Sequence, residues 1–154
     1  MEIKIDNLEN DQVKELVSQH FREMRKNTPI NNCHVLTIDE LRSDNITFWS
    51  VWIKNDLAGC GALKELNPFH GEIKSMRTHN SHLRKGVAQK LLRHIIDEAR
   101  ERGYERLSLE TSSSSSFLPA HALYKKSGFI QCEPFEGYKE NSNSIFMTLL
   151  LKVQ

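Results

Sequence analysis

Apolar residues recur along the chain at two periods, and the switches between them lay out the elements. Val13, Leu16, Val17, His20, Phe21 and Met24 trace one face of a helix, with Asn10 and Asp11 in front of it as N-cap candidates. A short strand, Glu2 to Asp6, comes before that helix, and Asn27 to Cys33, with Pro29, reads as a loop after it. Thr37-Ile38-Asp39-Glu40 has the spacing of a capping box, which predicts a short helix from Ile38. Thr47 to Ile53 is rich in β-formers, Lys54-Asn55-Asp56 supplies turn residues, and Leu57 to Leu66 reads as the returning strand of a hairpin. Gly59 and Gly61 share one face of that strand, where a bulge or the close approach of another group would use them. A further strand, Gly71 to Thr78, follows the Asn67-Pro68 turn.

The strongest helical pattern comes next. Val87, Leu91, Leu92, Ile95, Ile96 and Ala99 make one apolar stripe, and Arg102-Gly103 closes it with a basic last turn and a C-cap glycine. Leu107 and Leu109 alternate in a strand from Arg106 to Thr111. A short helix starts near Pro119 and stops at Gly128, and Phe129 to Glu133 and Ser144 to Leu151 form two last strands. The order β-α-α-β-β-β-α-β-α-β-β predicts an α+β or α/β domain around a mixed sheet.

Composition narrows the class of protein. The chain has 154 residues, of which 38% are hydrophobic and 27% charged, so one ordinary globular domain over residues 1–154 is expected. A chain of that length buries roughly 70% of its unfolded surface. No apolar run reaches the ~20 residues of a membrane span, and from Met1 to Asp6, which lack a basic start and an apolar stretch, no signal peptide is expected. Twenty-one Lys and Arg against twenty Asp and Glu leave no strongly basic footprint for nucleic acid. Cys33, Cys60 and Cys132 are far apart with no CxxC pair, and the seven histidines lack HxxxH or HxH spacing, so neither a disulfide framework nor a metal site is expected. A soluble, cytoplasmic protein is the resulting expectation.

The informative stretch runs from Gly71-Glu72-Ile73-Lys74-Ser75-Met76-Arg77-Thr78 through His79 to His82. It ends in Leu83-Arg84-Lys85-Gly86-Val87-Ala88-Gln89-Lys90-Leu91-Leu92. It reads as a strand, a short basic loop and the start of a long helix. Such a start presents unpaired N–H groups and about half a positive charge. Gly86 has no Cβ to keep a ligand off those amides, Ala88 is small, and Arg84 and Lys85 add charge; the segment suits a pyrophosphate. The alternative is an ordinary helix-starting turn between solvated basic residues. No GxxxxGK(S/T) and no GxGxxG after a strand occur, which excludes a P-loop or Rossmann nucleotide site.

The window Leu83-Arg84-Lys85-Gly86-Val87-Ala88 resembles the acyl-CoA loop (Q/R)-x-x-G-x-(G/A) of the GNAT superfamily of N-acetyltransferases, with Leu83 in place of the leading Gln or Arg. Ala122-Leu123-Tyr124-Lys125-Lys126-Ser127-Gly128-Phe129 is similar to the family's A-x-L-Y-x-x-x-G-F-type ending, shifted by one at the alanine. The element order agrees over nearly the whole chain, and Gly59 to Leu66 and Gly71 to Thr78 resemble a bacterial subgroup of the family. The resemblance implies the GNAT acyl-CoA N-acyltransferase fold. That is an α/β (α+β mixed) domain whose mostly antiparallel sheet of about six to seven strands is flanked by about four helices.

The resemblance further implies that the strand ending at Thr78 splays from the strand Arg106 to Thr111, with acetyl-CoA in the opening. Backbone groups of Met76 and Thr78 would pair with the pantetheine and thioester. The amides of Arg84, Lys85, Gly86, Val87, Ala88 and Gln89 would hold the pyrophosphate. Acyl transfer needs an acceptor for the amine proton, a donor to the oxyanion and an acid near the departing sulfur. Tyr124 is the expected acid, a phenol protonated at neutral pH; an aromatic plug between helix and sheet is the alternative. Glu72 stands where some members carry a catalytic glutamate and is the expected base, against an exposed carboxylate paired with Lys74 or Arg77. The Asn with which many members bind pantetheine has no counterpart in Ser112 to Phe117.

The expected activity is transfer of acetyl from acetyl-CoA to a primary amine, of a small molecule or a protein, by direct attack in a ternary complex. No metal, nucleic acid or membrane takes part. The rival is a non-catalytic acyl-CoA sensor or subunit of the same fold. Acceptor-side candidates are His34, Phe48, Trp49, His70, Arg77, His121, Tyr138 and Asn143, each with a plain structural role as the alternative. The apolar final strand serves a homodimer as readily as the core.

Overall fold

The computed structural model describes residues 1–151; Lys152, Val153 and Gln154 of the expected domain lie outside the described residues. Within them the elements follow the predicted order. They are β1 (Glu2–Ile5), α1 (Asp11–Asn27), α2 (Ile38–Leu41), β2 (Ile46–Ile53), β3 (Asp56–Asn67), β4 (His70–Thr78), α3 (Val87–Glu101), β5 (Arg106–Ser112), α4 (Leu118–Lys126), β6 (Ile130–Gln131) and β7 (Ser144–Leu150). The strands form one sheet in the order β1-β2-β3-β4-β5-β7-β6. β4 and β5 pair in parallel and the other neighbours antiparallel.

Local chemistry accounts for the element ends. The Asn10 side chain accepts from the amides of Gln12 and Val13 at the start of α1. Thr37 and Glu40 close both halves of their capping box at the start of α2. One element is shorter than its sequence suggests: β6 keeps two residues of the expected Phe129 to Glu133. The Phe129 amide is taken by the Tyr124 carbonyl at the end of α4, and Pro134 has no N–H with which to continue the ladder.

Two apolar layers sandwich the sheet. On one face α3 and α4 bury Leu91, Leu92, Ile95 and Tyr124 against Leu63, Ile73, Leu107, Leu109 and Met147. On the other, α1 and α2 bury Val13, Leu16, Val17 and Leu41 against Phe48, Leu57, Cys60 and Ala62. That second layer stops at the middle of the sheet. Beyond it, Glu72, Lys74, Ser108 and Thr148 occupy buried positions that alternate with the apolar ones. The segment 132–143 lies there instead, with Phe135 and Tyr138 packed edge-on to one another and against Phe146.

The feature that makes a site is a split in this sheet. β4 and β5 pair only from His70↔Arg106 to Ile73↔Leu109 and then separate. β4 also carries a bulge, where Cys60 opposes Arg77 and Ala62 opposes Lys74, so that Ser75 and Met76 together face Gly61. Ser75 sits at φ 57°, a left-handed conformation that lets the strand bend away from β5. The β5-facing edge of β4 beyond Ile73 is thereby left without a strand partner.

Candidate active site

The split opens into a cleft of about 120 Å³. Met76, Leu109, Ala120 and Tyr124 form its apolar wall, and Glu72, Lys74, His34 and Glu110 belong to its polar wall. Tyr124 enters from α4, whose first turn holds Pro119. Its ring is buried edge-on to Phe129, and its hydroxyl makes no hydrogen bond among the described residues. Burial pushes the phenol up to about 12, so it holds its proton throughout the neutral range. A buried tyrosine usually finds a partner within the protein; this hydroxyl has only the cleft.

The polar wall is built from four separate segments. Glu72 is buried, and its Oε2 accepts from Lys74 Nζ at 3.1 Å and from Tyr138 Oη at 2.7 Å. Lys74 Nζ also lies 2.8 Å from Tyr138 Oη, so carboxylate, ammonium and phenol form a closed triangle. Burial, with the Glu72 charge next to it, holds the Tyr138 phenol far above its ordinary range. Next to this triangle, Glu110 Oε2 accepts from His34 Nδ1 at 2.6 Å and from Ser144 Oγ at 2.7 Å. Asn32 Nδ2 donates to Asn143 Oδ1 at 2.9 Å across the mouth. From α1, His20 faces the same cleft. Burial first, and the positive charge of Arg77 second, lower its imidazole to about 4. Arg77 itself is held by Glu23 at 2.5 Å.

The loop before α3 has the geometry an anionic group requires. Gly86 occupies the N-cap position at φ 80° with no side-chain cap, and a Cβ there would meet nothing within 4 Å. The amides of Val87, Ala88 and Gln89 precede the first internal acceptors of the helix and point outward from its positive end. Arg84 also takes a positive φ, of 63°. Arg84 and Lys85 are exposed, and Lys85 Nζ lies 3.1 Å from His82 Nδ1. Leu83, which replaces the polar residue of the motif, is exposed as well.

The expected site residues fall into three groups. Tyr124, Glu72 and Met76 meet at the cleft, and His34 and Asn143 of the acceptor candidates line it with them. Tyr138 reaches it through Glu72, and Arg77 faces Glu23 and His20 at its α1 side. Thr78 and the six residues from Arg84 to Gln89 lie further along β4 and at the start of α3. Four candidates do not face the cleft. Phe48 and Trp49 are buried in the two apolar layers, His70 Nε2 bonds Ser108 Oγ at 2.7 Å, and His121 Nε2 is held by the Ser112 carbonyl at 2.8 Å. Glu72 is not an exposed carboxylate, although its pairing with Lys74 is as the sequence suggests. Sequence reasoning passed over Glu110, Asn32 and Ser144 as site residues. Glu110 and Ser144 carry one signal, that a polar residue on an otherwise apolar strand needs a partner; Asn32, in the turn Ile30–Asn32, carries none.

A split mixed sheet with a helix N-terminus at one end and an unbonded phenol at the other defines an acyl-CoA N-acyltransferase fold. The model of the acetyltransferase (GNAT) family matches residues 6–129, and the chain belongs to that family, whose acetyl-donating co-substrate is acetyl-CoA. The uncharacterized N-acetyltransferase YsnE of Bacillus subtilis is 58% identical over 148 residues, which is 96% of this chain and 98% of that protein. The uncharacterized N-acetyltransferase YedL of Escherichia coli is 46% identical, covering 97% of this chain and 94% of its own. The IAA acetyltransferase of Azospirillum brasilense is 30% identical over 89% of each chain. Among solved structures, a Bacillus subtilis acetyltransferase in complex with CoA superposes with a TM-score of 0.71 at 20% identity, covering 97% of this chain and 98% of that one. An acetyltransferase from Streptococcus agalactiae gives 0.72 at 19%, with the same coverage.

Proposed function

We propose that this chain is a single N-acetyltransferase domain over residues 1–154, moving the acetyl group of acetyl-CoA directly to a primary amine with both substrates bound. The observation that carries the reading is Tyr124, a protonated phenol with no hydrogen-bond partner among the described residues, lining a cleft between two parted parallel strands. The unpaired edge of β4 around Met76 and Thr78 offers backbone groups to the pantetheine arm and thioester. The amides at Gly86 to Gln89, with Arg84 and Lys85 beside them, suit the pyrophosphate.

In this reading a neutral amine attacks the thioester carbonyl, and the tetrahedral oxyanion collapses to amide and CoA thiolate. Tyr124 donates its proton to the departing sulfur. Glu72, locked by Lys74 and Tyr138, presents its carboxylate to the incoming amine and sets its position. The relatives named IAA acetyltransferase and streptothricin acetyltransferase support a small-molecule acceptor.

The test is release of CoA from acetyl-CoA in the presence of a primary-amine panel, with wild type and Tyr124→Phe. Turnover that falls on losing the hydroxyl supports the reading. Tight acetyl-CoA binding with no turnover on any amine points instead to a non-catalytic acyl-CoA-binding module.

A further inference from the structure

We propose that the proton of the attacking amine leaves through His34, oriented by Glu110, and not through Glu72; the inference rests on the transfer reading above. His34 Nδ1 lies 2.6 Å from Glu110 Oε2. A carboxylate only accepts, so the neutral ring carries its proton on Nδ1 and keeps the Nε2 lone pair free. Nε2 makes no hydrogen bond among the described residues, and the ring forms part of the cleft wall. The ring is fixed from two more directions. Tyr138 stacks edge-on to it at 4.8 Å between centroids, and Ser144 Oγ anchors the Glu110 oxygen that His34 uses. A carboxylate, an imidazole held in one tautomer and an unbonded nitrogen on a ring that lines the cleft make the arrangement of a general base.

Glu72 differs in kind. Its Oε2 already accepts from an ammonium and a phenol, and the triangle with Lys74 and Tyr138 is buried under the segment 132–143. A proton placed there would disrupt a paired charge. The His34–Glu110 pair is a third or less exposed on either side and has a path to solvent. The charged and titratable groups around His34 are Glu110 on β5, Tyr138 on the covering segment, Glu72 and Lys74 on β4, His20 on α1, Tyr124 on α4 and the adjoining Cys33.

The step balances. The amine nitrogen forms the C–N bond and gives its N–H proton to His34 Nε2, and the C–S bond breaks with its electron pair going to sulfur. Tyr124 protonates the thiolate, and the His34 proton returns through solvent to the tyrosinate. Acetyl-CoA and the amine become the acetamide and free CoA. Glu110 acts only through His34 and is a positioning residue.

The experiment follows CoA release with phenethylamine, putrescine and an alanine-terminated tetrapeptide, for wild type, His34→Ala, His34→Gln, Glu110→Gln and Glu72→Gln. Acetyl-CoA affinity is measured on each variant. The inference expects both His34 variants to lose at least about 100-fold in kcat with acetyl-CoA affinity unchanged. It also expects added imidazole to restore a part of His34→Ala turnover, and Glu110→Gln to move the acid limb of the pH–rate profile. A merely structural histidine would show neither rescue nor a moved limb. Full activity in the His34 variants, with loss only in Glu72→Gln, overturns the inference and leaves acetyl transfer standing. Wild type that binds acetyl-CoA and turns over none of the three amines overturns both.

Discussion

A Cβ placed on Gly59 would stand 2.9 Å from the carbonyl oxygen of Arg77 and 2.9 Å from Val87 Cγ1. β3 therefore presses backbone against backbone on the segment of β4 that opens the cleft, and α3 begins directly above it. A Cβ on Gly61, two residues on, would meet softer neighbours, Met76 Sδ at 2.5 Å and Leu91 Cδ2 at 3.0 Å, both towards the ends of flexible side chains. Gly59→Ala should destabilise the protein by about 1–3 kcal/mol, and Gly61→Ala by less. Paired thermal or urea melts of the two variants check the order. Equal losses would show that the β4 backbone yields as easily as a methionine side chain.

Gly86 separates stability from binding. Its φ of 80° costs a residue with a Cβ about 1–2 kcal/mol, and no atom lies within 4 Å of an added Cβ. Gly86→Val should fold with that modest loss and bind acetyl-CoA at least about tenfold more weakly, because its methyl groups cover the amides of α3. A melt and a titration on the same sample separate the two effects.

Tyr124→Phe removes an oxygen that has no hydrogen-bond partner among the described residues, so the melting temperature should barely move. Turnover should fall by about 10²-fold or more while acetyl-CoA affinity holds. The phenol is pushed up to about 12 by burial. Its ionisation should therefore not limit the rate below about pH 11, and an alkaline fall near pH 9 must come from another group.

His20 makes stability depend on acid. Its folded-state value of about 4 lies below the ordinary imidazole value of 6.5, so between those two pH values the unfolded chain binds the extra proton. Its contribution is fully present above pH 6.5 and is lost as the pH falls toward 4, a change of about 3 kcal/mol. Urea melts between pH 4 and 7 should show this slope in wild type and a shallower one in His20→Gln. An unchanged slope would assign the acid sensitivity to the carboxylates.

Much of the fold is legible in the sequence, because each long element carries its own period. The α3 stripe from Val87 to Ala99 is buried residue for residue, and the Asn10 cap and the Thr37–Glu40 box form as spaced. The Gly59 and Gly61 pair marks the close approach to Met76 and Val87. The candidate site is less legible. Tyr124, Met76 and the Gly86 loop belong to one contiguous half and carry a family pattern. The polar wall is assembled from Glu72, Glu110, His34, Tyr138 and Asn143, whose proximity depends on how segment 132–143 folds over β4 and β5. No spacing along the chain encodes that fold-over. Phe48 and Trp49 lie on a segment that the resemblance puts on the acceptor side, and an aromatic on a strand reads the same whether it faces a layer of helices or a cleft.

The measurement that tests the account most directly is calorimetric titration of the purified protein with acetyl-CoA, beside free CoA and beside the Gly86→Val variant. The account predicts saturable one-to-one binding of acetyl-CoA by wild type, strongly weakened in the variant. Absence of binding at millimolar acetyl-CoA would contradict it. The exposed Leu83 would then mark a split sheet that no longer holds this co-substrate.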